Sequence, residues 1–233
     1  MKPKILAVIP ARGGSKRIPY KNMRELCGKS IIGYTIEAAV NSGVFDKVVV
    51  STDDEKIAEV ADSFGAEIPF VRGLTLSDDF TPVSLATLDA VTRLDPTGEK
   101  YDSVAQLMAN CPLRSSADIH ASYAQFIDSD ADSQLSVSRY SWLNPWWAMS
   151  MDDNHILNPL FAEALSARSQ DLKEVFCPTG AIWWIKSRVL RAEKTFHIQG
   201  RSGWEIDWKN GFDIDTEEDW ELAEVLMKQR NGI

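Results

Sequence analysis

Apolar positions in the first hundred residues switch between two periods. Lys4 to Ile9 and Lys47 to Ser51 are short apolar runs rich in β-branched residues, while Ser30 to Asn41 carries Ile32, Ile36, Ala39 and Val40 at helical spacing. The runs predict buried strands and the segment between them predicts a helix, so the two strands form a parallel pair. Asp53 and Asp54 open a second predicted helix, Glu55 to Phe64, stopped by Gly65 and followed by a short strand around Glu67 to Val71. Thr81 to Leu94 predicts a helix with Pro82 in its first turn, Ser103 to Met108 a buried strand, and Ala117 to about Ile127 another helix. Between Ser138 and Ile185 the alternation stops, and Trp142, Trp146, Trp147, Trp183 and Trp184 are interspersed with Pro145, Pro159 and Pro178. Aromatic density of that kind marks either a deep core or a subunit interface, and an arm pairing two subunits fits it. A strand near Gly211 to Ile214 and a helix from Glu217 to Lys228, capped by Thr216 or Asp215, complete the prediction.

With 233 residues, 44% of them hydrophobic, the chain fits one large α/β domain with a full core. Its 25 Lys+Arg against 34 Asp+Glu leave a net charge of -9, which argues against a nucleic-acid partner. Lysines precede the first apolar run, but Pro10 and Arg12 interrupt it before a signal core or membrane span could form, so a cytoplasmic protein is expected. Cys27, Cys111 and Cys177 include no CxxC pair, which predicts reduced structural thiols rather than a disulfide framework or zinc site.

Against that acidic background, the loop after the first strand concentrates cations: Arg12, Lys16, Arg17 and Lys21 surround Gly13 and Gly14. Glycines let backbone N–H groups approach a ligand and the cations match several phosphate oxygens, so a polyphosphate such as a nucleoside triphosphate is the expected guest. Two other phosphate motifs fail on spacing. Gly28-Lys29-Ser30 ends like a P-loop, but Met23 stands where its first glycine belongs, and Gly13 and Gly14 are adjacent instead of alternating as a dinucleotide fingerprint requires. No serine sits in a G-x-S-x-G elbow, and His120, His155 and His197 are scattered.

A second constellation is Phe212-Asp213-Ile214-Asp215-Thr216. In an extended segment Asp213 and Asp215 share a face, where two hard carboxylates with phosphates and water suit magnesium. The plainer alternative has Asp215 capping the last helix and Asp213 solvated.

Together these residues resemble the acylneuraminate cytidylyltransferases, the CMP-sialic acid synthetases and their legionaminate and pseudaminate relatives, over nearly the whole chain. Ala11 to Lys16 with Ile18-Pro19 and Lys21-Asn22 resembles the family's opening motif. Ser51-Thr52-Asp53-Asp54, Asn110-Cys111-Pro112-Leu113-Arg114, Pro178-Thr179-Gly180-Ala181-Ile182 and Phe212 to Thr216 resemble its later blocks in order. The resemblance implies a three-layer, Rossmann-like nucleotide-diphospho-sugar transferase fold with a central mixed sheet and a protruding dimerisation arm at about 139–185. It implies transfer of CMP from CTP to the anomeric hydroxyl of a nonulosonic acid, with release of pyrophosphate, by a magnesium-dependent homodimer.

By the same likeness Arg12, Lys21, Asp213 and Asp215 are catalytic, with Asp213 and Asp215 as metal ligands. Ala11, Arg12, Gly13, Gly14, Ser15, Lys21, Asn22 and Arg72 bind nucleotide, and Met108, Asn110, Arg168 and Gln170 face the sugar. Arg168 has a surface salt bridge as its alternative role, and Arg114 is expected to brace its loop through main-chain carbonyls. Where many relatives carry Gln-Pro-Thr-Ser-Pro-Leu-Arg, this chain has Met108 in place of the glutamine, a thioether that cannot make an amide's hydrogen bonds and leaves the sugar's identity open. Other readings are a nucleotidyltransferase for Kdo or a sugar phosphate, a catalytically idle nucleotide-binding module, and a dinucleotide-dependent oxidoreductase, which the glycine spacing disfavours.

Overall fold

Strand β1 (Ile5–Pro10) is buried along its whole length. Its side chains divide between two cores, Ile5, Ala7 and Ile9 on one face and Leu6 and Val8 on the other. A strand apolar on both faces belongs inside a covered sheet. That is its place in the computed structural model, which describes residues 2–140 and 143–232; Trp142 of the predicted arm lies outside the described residues.

After β1 come a small hairpin, β2 (Glu25–Leu26) and β3 (Lys29–Ser30), then α1 (Ile31–Asn41), β4 (Lys47–Ser51), α2 (Glu55–Ser63), α3 (Val83–Leu94), β5 (Ser103–Gln106), α4 (Ser116–Asp128) and β6 (Ser133–Arg139). A second hairpin follows, β7 (Met149–Met151) with β8 (Leu157–Pro159), and then β9 (Phe176–Lys186), α5 (Ser187–Glu193), β10 (Ser202–Glu205) and α6 (Glu217–Asn231).

The central sheet has the order β10-β6-β9-β5-β1-β4. Strand β1 is parallel to β4 and β5, β6 is parallel to β10, and β9 runs against both β5 and β6, so the sheet is mixed. Helices α1, α2 and α4 pack on one face and α3 and α5 on the other, which makes three layers. The strand order reverses at β1, with β4 on one side and β5 on the other. In open α/β sheets the crevice at the carboxyl ends of such strands is where ligands bind. Here that edge receives the loops beginning at Ala11, Thr52 and Leu107.

Most predicted elements in the first 130 residues appear within a residue or two of their expected ends. Three expectations are corrected. Residues 67–71 make only single bridges, Val49 to Glu67 and Thr52 to Val71, because the chain turns away from β4 after each contact. Residues 211–214 form no strand: Gly211 is pressed against Ile206 and Thr179, and Ile214 bonds the Asn110 carbonyl at 2.9 Å instead of joining a ladder. The arm does not extend to 185, because β9 returns to the middle of the sheet and carries Trp183 and Trp184 with it.

The core reading of the tryptophans holds for Trp184, and the tryptophans divide between the core and the surface. Trp184 is fully buried, stacked between Phe45 and Phe126 at 5.6 and 5.8 Å, and its Nε1 donates to Ser122 Oγ at 3.0 Å. Trp147 lies on the excursion between β6 and β9 and is exposed. Replacing Trp184 by alanine should lower the unfolding free energy by about 3–5 kcal/mol in urea titration; a loss below about 1 kcal/mol would contradict its place at the centre of this core.

Candidate active site

The loop after β1 is held down by its neighbours. The Ala11 N–H donates to Ser51 O at 3.0 Å, and Gly13 N–H donates to Asp53 Oδ1 at 3.1 Å. A Cβ at Gly13 would stand 2.6 Å from the Asp54 carboxylate, so glycine is required there by space. Gly14 meets nothing. Arg72 fastens the next segment from beneath: it is buried, donates to Ser51 O and Ser77 Oγ at 3.0 Å each, and lies 3.6 Å from Asp53. Burial lowers the pKa of this guanidinium, with Asp53 opposing the shift. Asn22, also buried, donates from Nδ2 to Arg12 O at 3.0 Å.

The segment before α6 is anchored by Ile214, which is buried with Ile18, Leu113 and Trp220. With Ile214 inward, its two neighbours turn outward, so the alternation expected of Asp213 and Asp215 holds without a strand. Thr216, not Asp215, caps α6: its side chain accepts from Asp219 N–H and Asp219 accepts from Thr216 N–H in a capping box. Asp215 is thereby released for other work.

Two loops converge on its carboxylate. Lys21 Nζ donates to Asp215 Oδ1 and to Ile214 O at 2.8 Å each, Arg17 lies 2.9 Å from Oδ2, and Asn110 Nδ2 donates to Ile214 O at 3.1 Å and to Oδ1 at 3.3 Å. Burial alone would raise the Asp215 pKa, but the Lys21 and Arg17 cations outweigh it and hold the carboxyl below the ordinary range. Asp213 is the opposite case. Loss of water, and next the charge of Asp215, push its pKa up.

A cleft of ≈ 270 Å³ opens here, lined by Arg12, Arg17, Lys21, Asn22, Arg72, Asn110 and Asp215 on its polar side and by Met108, Ala109, Val83 and Ala86 on its apolar side. Met108 packs against Gly180, where a Cβ would stand 3.0 Å from its Cγ. Arg114 is buried and donates to Met108 O and Ala181 O, the bracing role expected of it, and burial lowers its pKa to about 10. Ala11, Gly13, Gly14, Ser15 and Asp213 are not among the lining residues. Arg168 and Gln170 are not brought to this cleft. They lie on the excursion between β6 and β9, where Arg168 pairs with Asp171 at 2.6 Å and Gln170 lines a separate cavity with Arg139, Tyr140 and Lys173. Asn110, expected to face the sugar, spends its amide on the Asp215 segment.

Among the described residues no group of three or more His, Cys, Asp or Glu is arranged to hold a metal ion. Asp213 and Asp215 nonetheless fit magnesium as a partial site. They are hard oxygen donors of the kind magnesium takes, and substrate phosphates and water would have to supply its other ligands.

The cytidylyltransferase family model matches residues 6–199. The chain belongs to that family. It is 36% identical over 225 residues to a pseudaminic acid cytidylyltransferase of Campylobacter jejuni, with 97% of each chain covered. It is also 36% identical to a CMP-N,N'-diacetyllegionaminic acid synthase of Legionella pneumophila, again over 97% of each chain. The fold is similar to that of a CMP:2-keto-3-deoxy-manno-octonic acid synthetase solved with CTP, with a TM-score of 0.72 at 17% identity over 97% of this chain and 99% of that one. The mixed three-layer architecture is thus that of a cytidylyltransferase, as the resemblance implied.

Two residues of the site escaped the sequence reading, Asp78 and Asp79. Asp79 pairs with Arg12 at 2.7 Å and with Lys16, and Arg12 also donates to Asp78 O at 2.8 Å. Ser77-Asp78-Asp79 carries no local signal that distinguishes it from a solvated acidic turn.

The opposite shifts of the two aspartates predict opposite effects on stability. The Asp213 pKa is raised on folding, so its ionised form costs stability at neutral pH, a cost that vanishes as pH falls below the ordinary carboxylate value. The Asp215 pKa is lowered, so its ionised form contributes stability at neutral pH that is lost as pH falls through the folded value. In metal-free buffer at pH 7, Asp213→Asn should raise Tm and Asp215→Asn should lower it. Shifts in the same direction would contradict the asymmetry.

Proposed function

We propose that this chain transfers CMP from CTP to the anomeric hydroxyl of a nonulosonic acid. The supporting observation is the meeting of Lys21, Arg17 and Asp215 at the mouth of the β1–β5 crevice, in a chain 36% identical to enzymes named for pseudaminic and diacetyllegionaminic acids. The hydroxyl oxygen attacks the α-phosphorus, the bond from that phosphorus to the bridging oxygen breaks, pyrophosphate leaves, and the hydroxyl proton passes to solvent. Arg12 and Lys21 bind the triphosphate and offset the negative charge that gathers on it in the transition state. Fixed charges of this kind act without reorganising during reaction. Asn22 and Arg72 lie towards the nucleoside. Asp213 and Asp215 would hold magnesium, which when bound neutralises charge on the triphosphate and the departing pyrophosphate.

Met108 faces the acceptor with a thioether on an otherwise apolar wall, which suits a deoxygenated or acylated sugar acid better than a fully hydroxylated one. The excursion between β6 and β9 exposes Leu143, Trp147, Met149, Met151, Leu157 and Leu160, an apolar face of the sort that a second copy of the chain covers. The working form is a homodimer joined through this arm. The reaction belongs in the cytoplasm, where CTP is made; among the described residues no helix is long and apolar enough to cross a membrane.

Purified protein should release pyrophosphate only when CTP, magnesium and a nonulosonic acid are all supplied. Equal release with ATP, or none across a panel containing pseudaminic, legionaminic and N-acetylneuraminic acids, would overturn the reading. Asp215→Asn should lower kcat by roughly two to three orders of magnitude, the scale of removing one electrostatic group from a transition state; unchanged kcat would remove Asp215 from the chemistry.

A further inference from the structure

The cations expected to hold the triphosphate are not free. Residues 73–82 cross the mouth of the cleft as a strap between Arg72 and α3, and Asp79 sits against both Arg12 and Lys16. Arg12 is gripped a second time, by the Asp78 carbonyl at 2.8 Å. Apolar packing of this strap is confined to Leu76, which is half-buried at the cleft, since Leu74 and Phe80 are 80% and 92% exposed. Its internal order comes from the Asp78 side chain, which accepts from Phe80 and Thr81 N–H groups at 2.9 and 2.6 Å, and from Thr81, whose hydroxyl donates to Thr75 O at 3.2 Å. Charge is what ties it to the loop after β1.

We propose that Asp79 is an affinity-setting residue, an internal anion that occupies the Arg12 and Lys16 subsite and must be displaced by the polyphosphate of the nucleotide. The inference deepens the CTP reading and rests on it for the identity of the natural ligand, but its physical core concerns polyphosphate alone. A carboxylate tethered in the same chain competes at a high effective concentration and offers two oxygens to two cations, as a phosphate would. The carboxyl is held below its ordinary pKa by Lys16 and Arg12, so the competitor stays charged at neutral pH.

Competition of this kind has a diagnostic pattern. Every ligand that needs Arg12 and Lys16 is weakened by one common factor, the fraction of molecules in which the subsite is open. Ligands that do not use those cations are unaffected. The factor is modest because the pairs are partly exposed: two such pairs set it at about two- to thirtyfold. A consequence for turnover is that Asp79 returns to Arg12 and Lys16 as pyrophosphate departs, which favours release of that product.

The test is calorimetric titration of the full chain and of Asp79→Asn with CTP, inorganic tripolyphosphate and cytidine, in magnesium buffer, with Asp79→Ala as a second variant. The expected result is a Kd for both CTP and tripolyphosphate that falls by the same factor, about two- to thirtyfold, with the cytidine Kd unmoved. A tripolyphosphate Kd that stays the same or rises in both variants overturns the proposal, and so does failure of all three proteins to bind tripolyphosphate. Cytidine tightening in parallel also overturns it, because a merely structural change in the strap would act on the nucleoside end as well. If the wild-type chain binds tripolyphosphate but not CTP, the cytidylyltransfer reading fails while the Asp79 comparison is still decided by the tripolyphosphate arm.

Discussion

The structure turns on one carboxylate. Asp215 stands 194 residues from Lys21 and 105 from Asn110, and it is where the loops after β1 and β5 and the approach to α6 are tied together. A carboxylate can accept about four hydrogen bonds, and this one takes a lysine, an arginine and an amide while Ile214 behind it is locked into the core. Charge-assisted bonds of this kind are short and directional, so a single group fixes the position of three segments. Its neighbour Asp213 receives no such compensation. The result is a pair of carboxylates two residues apart with opposite pKa displacements, one neutralised by protein cations and the other raised by loss of water and by its neighbour's charge. Pairs whose environments drive them apart are a mark of sites that carry out chemistry.

Topology explains why this happens at one edge of the molecule. Strands β4, β1 and β5 end together, and the order reverses at β1, so the connections leaving β1 and β5 diverge and leave a crevice between them. The first connection contributes Arg12, Arg17 and Lys21, the second Met108 and Asn110, and the strap before α3 contributes Asp78 and Asp79. Cations and acids therefore face each other across a small volume and neutralise one another.

Much of the fold was legible because the first 130 residues obey simple periodicities: β4 was predicted with its observed ends, and α1, α2 and α3 to within two residues. Strand β6 was not predicted, for a physical reason. Ser133, Gln134 and Ser136 are buried polar residues that satisfy themselves through Phe196 O, Ser122 O and Thr179, so the strand's apolar signal is reduced to Leu135 and Val137. Strand β9 was masked by its tryptophans and Pro178, and β10 by Ser202 and Gly203. At the site, the residue types were legible and the pairings were not. The cationic loop and the Asp213 and Asp215 pair announce themselves by composition and spacing, whereas the partner of Arg12 lies 67 residues away in an unremarkable acidic turn. Nor does any local signal say that Asn110 turns its amide to Asp215.

The most direct measurement is a crystal structure of the chain with CTP and magnesium bound. The phosphates should lie against Arg12 and Lys21, with the metal on Asp213 and Asp215 and with Asp79 withdrawn from Arg12. A triphosphate bound elsewhere, or a metal held by other residues while Asp79 keeps its grip on Arg12, would contradict the roles given to this cleft.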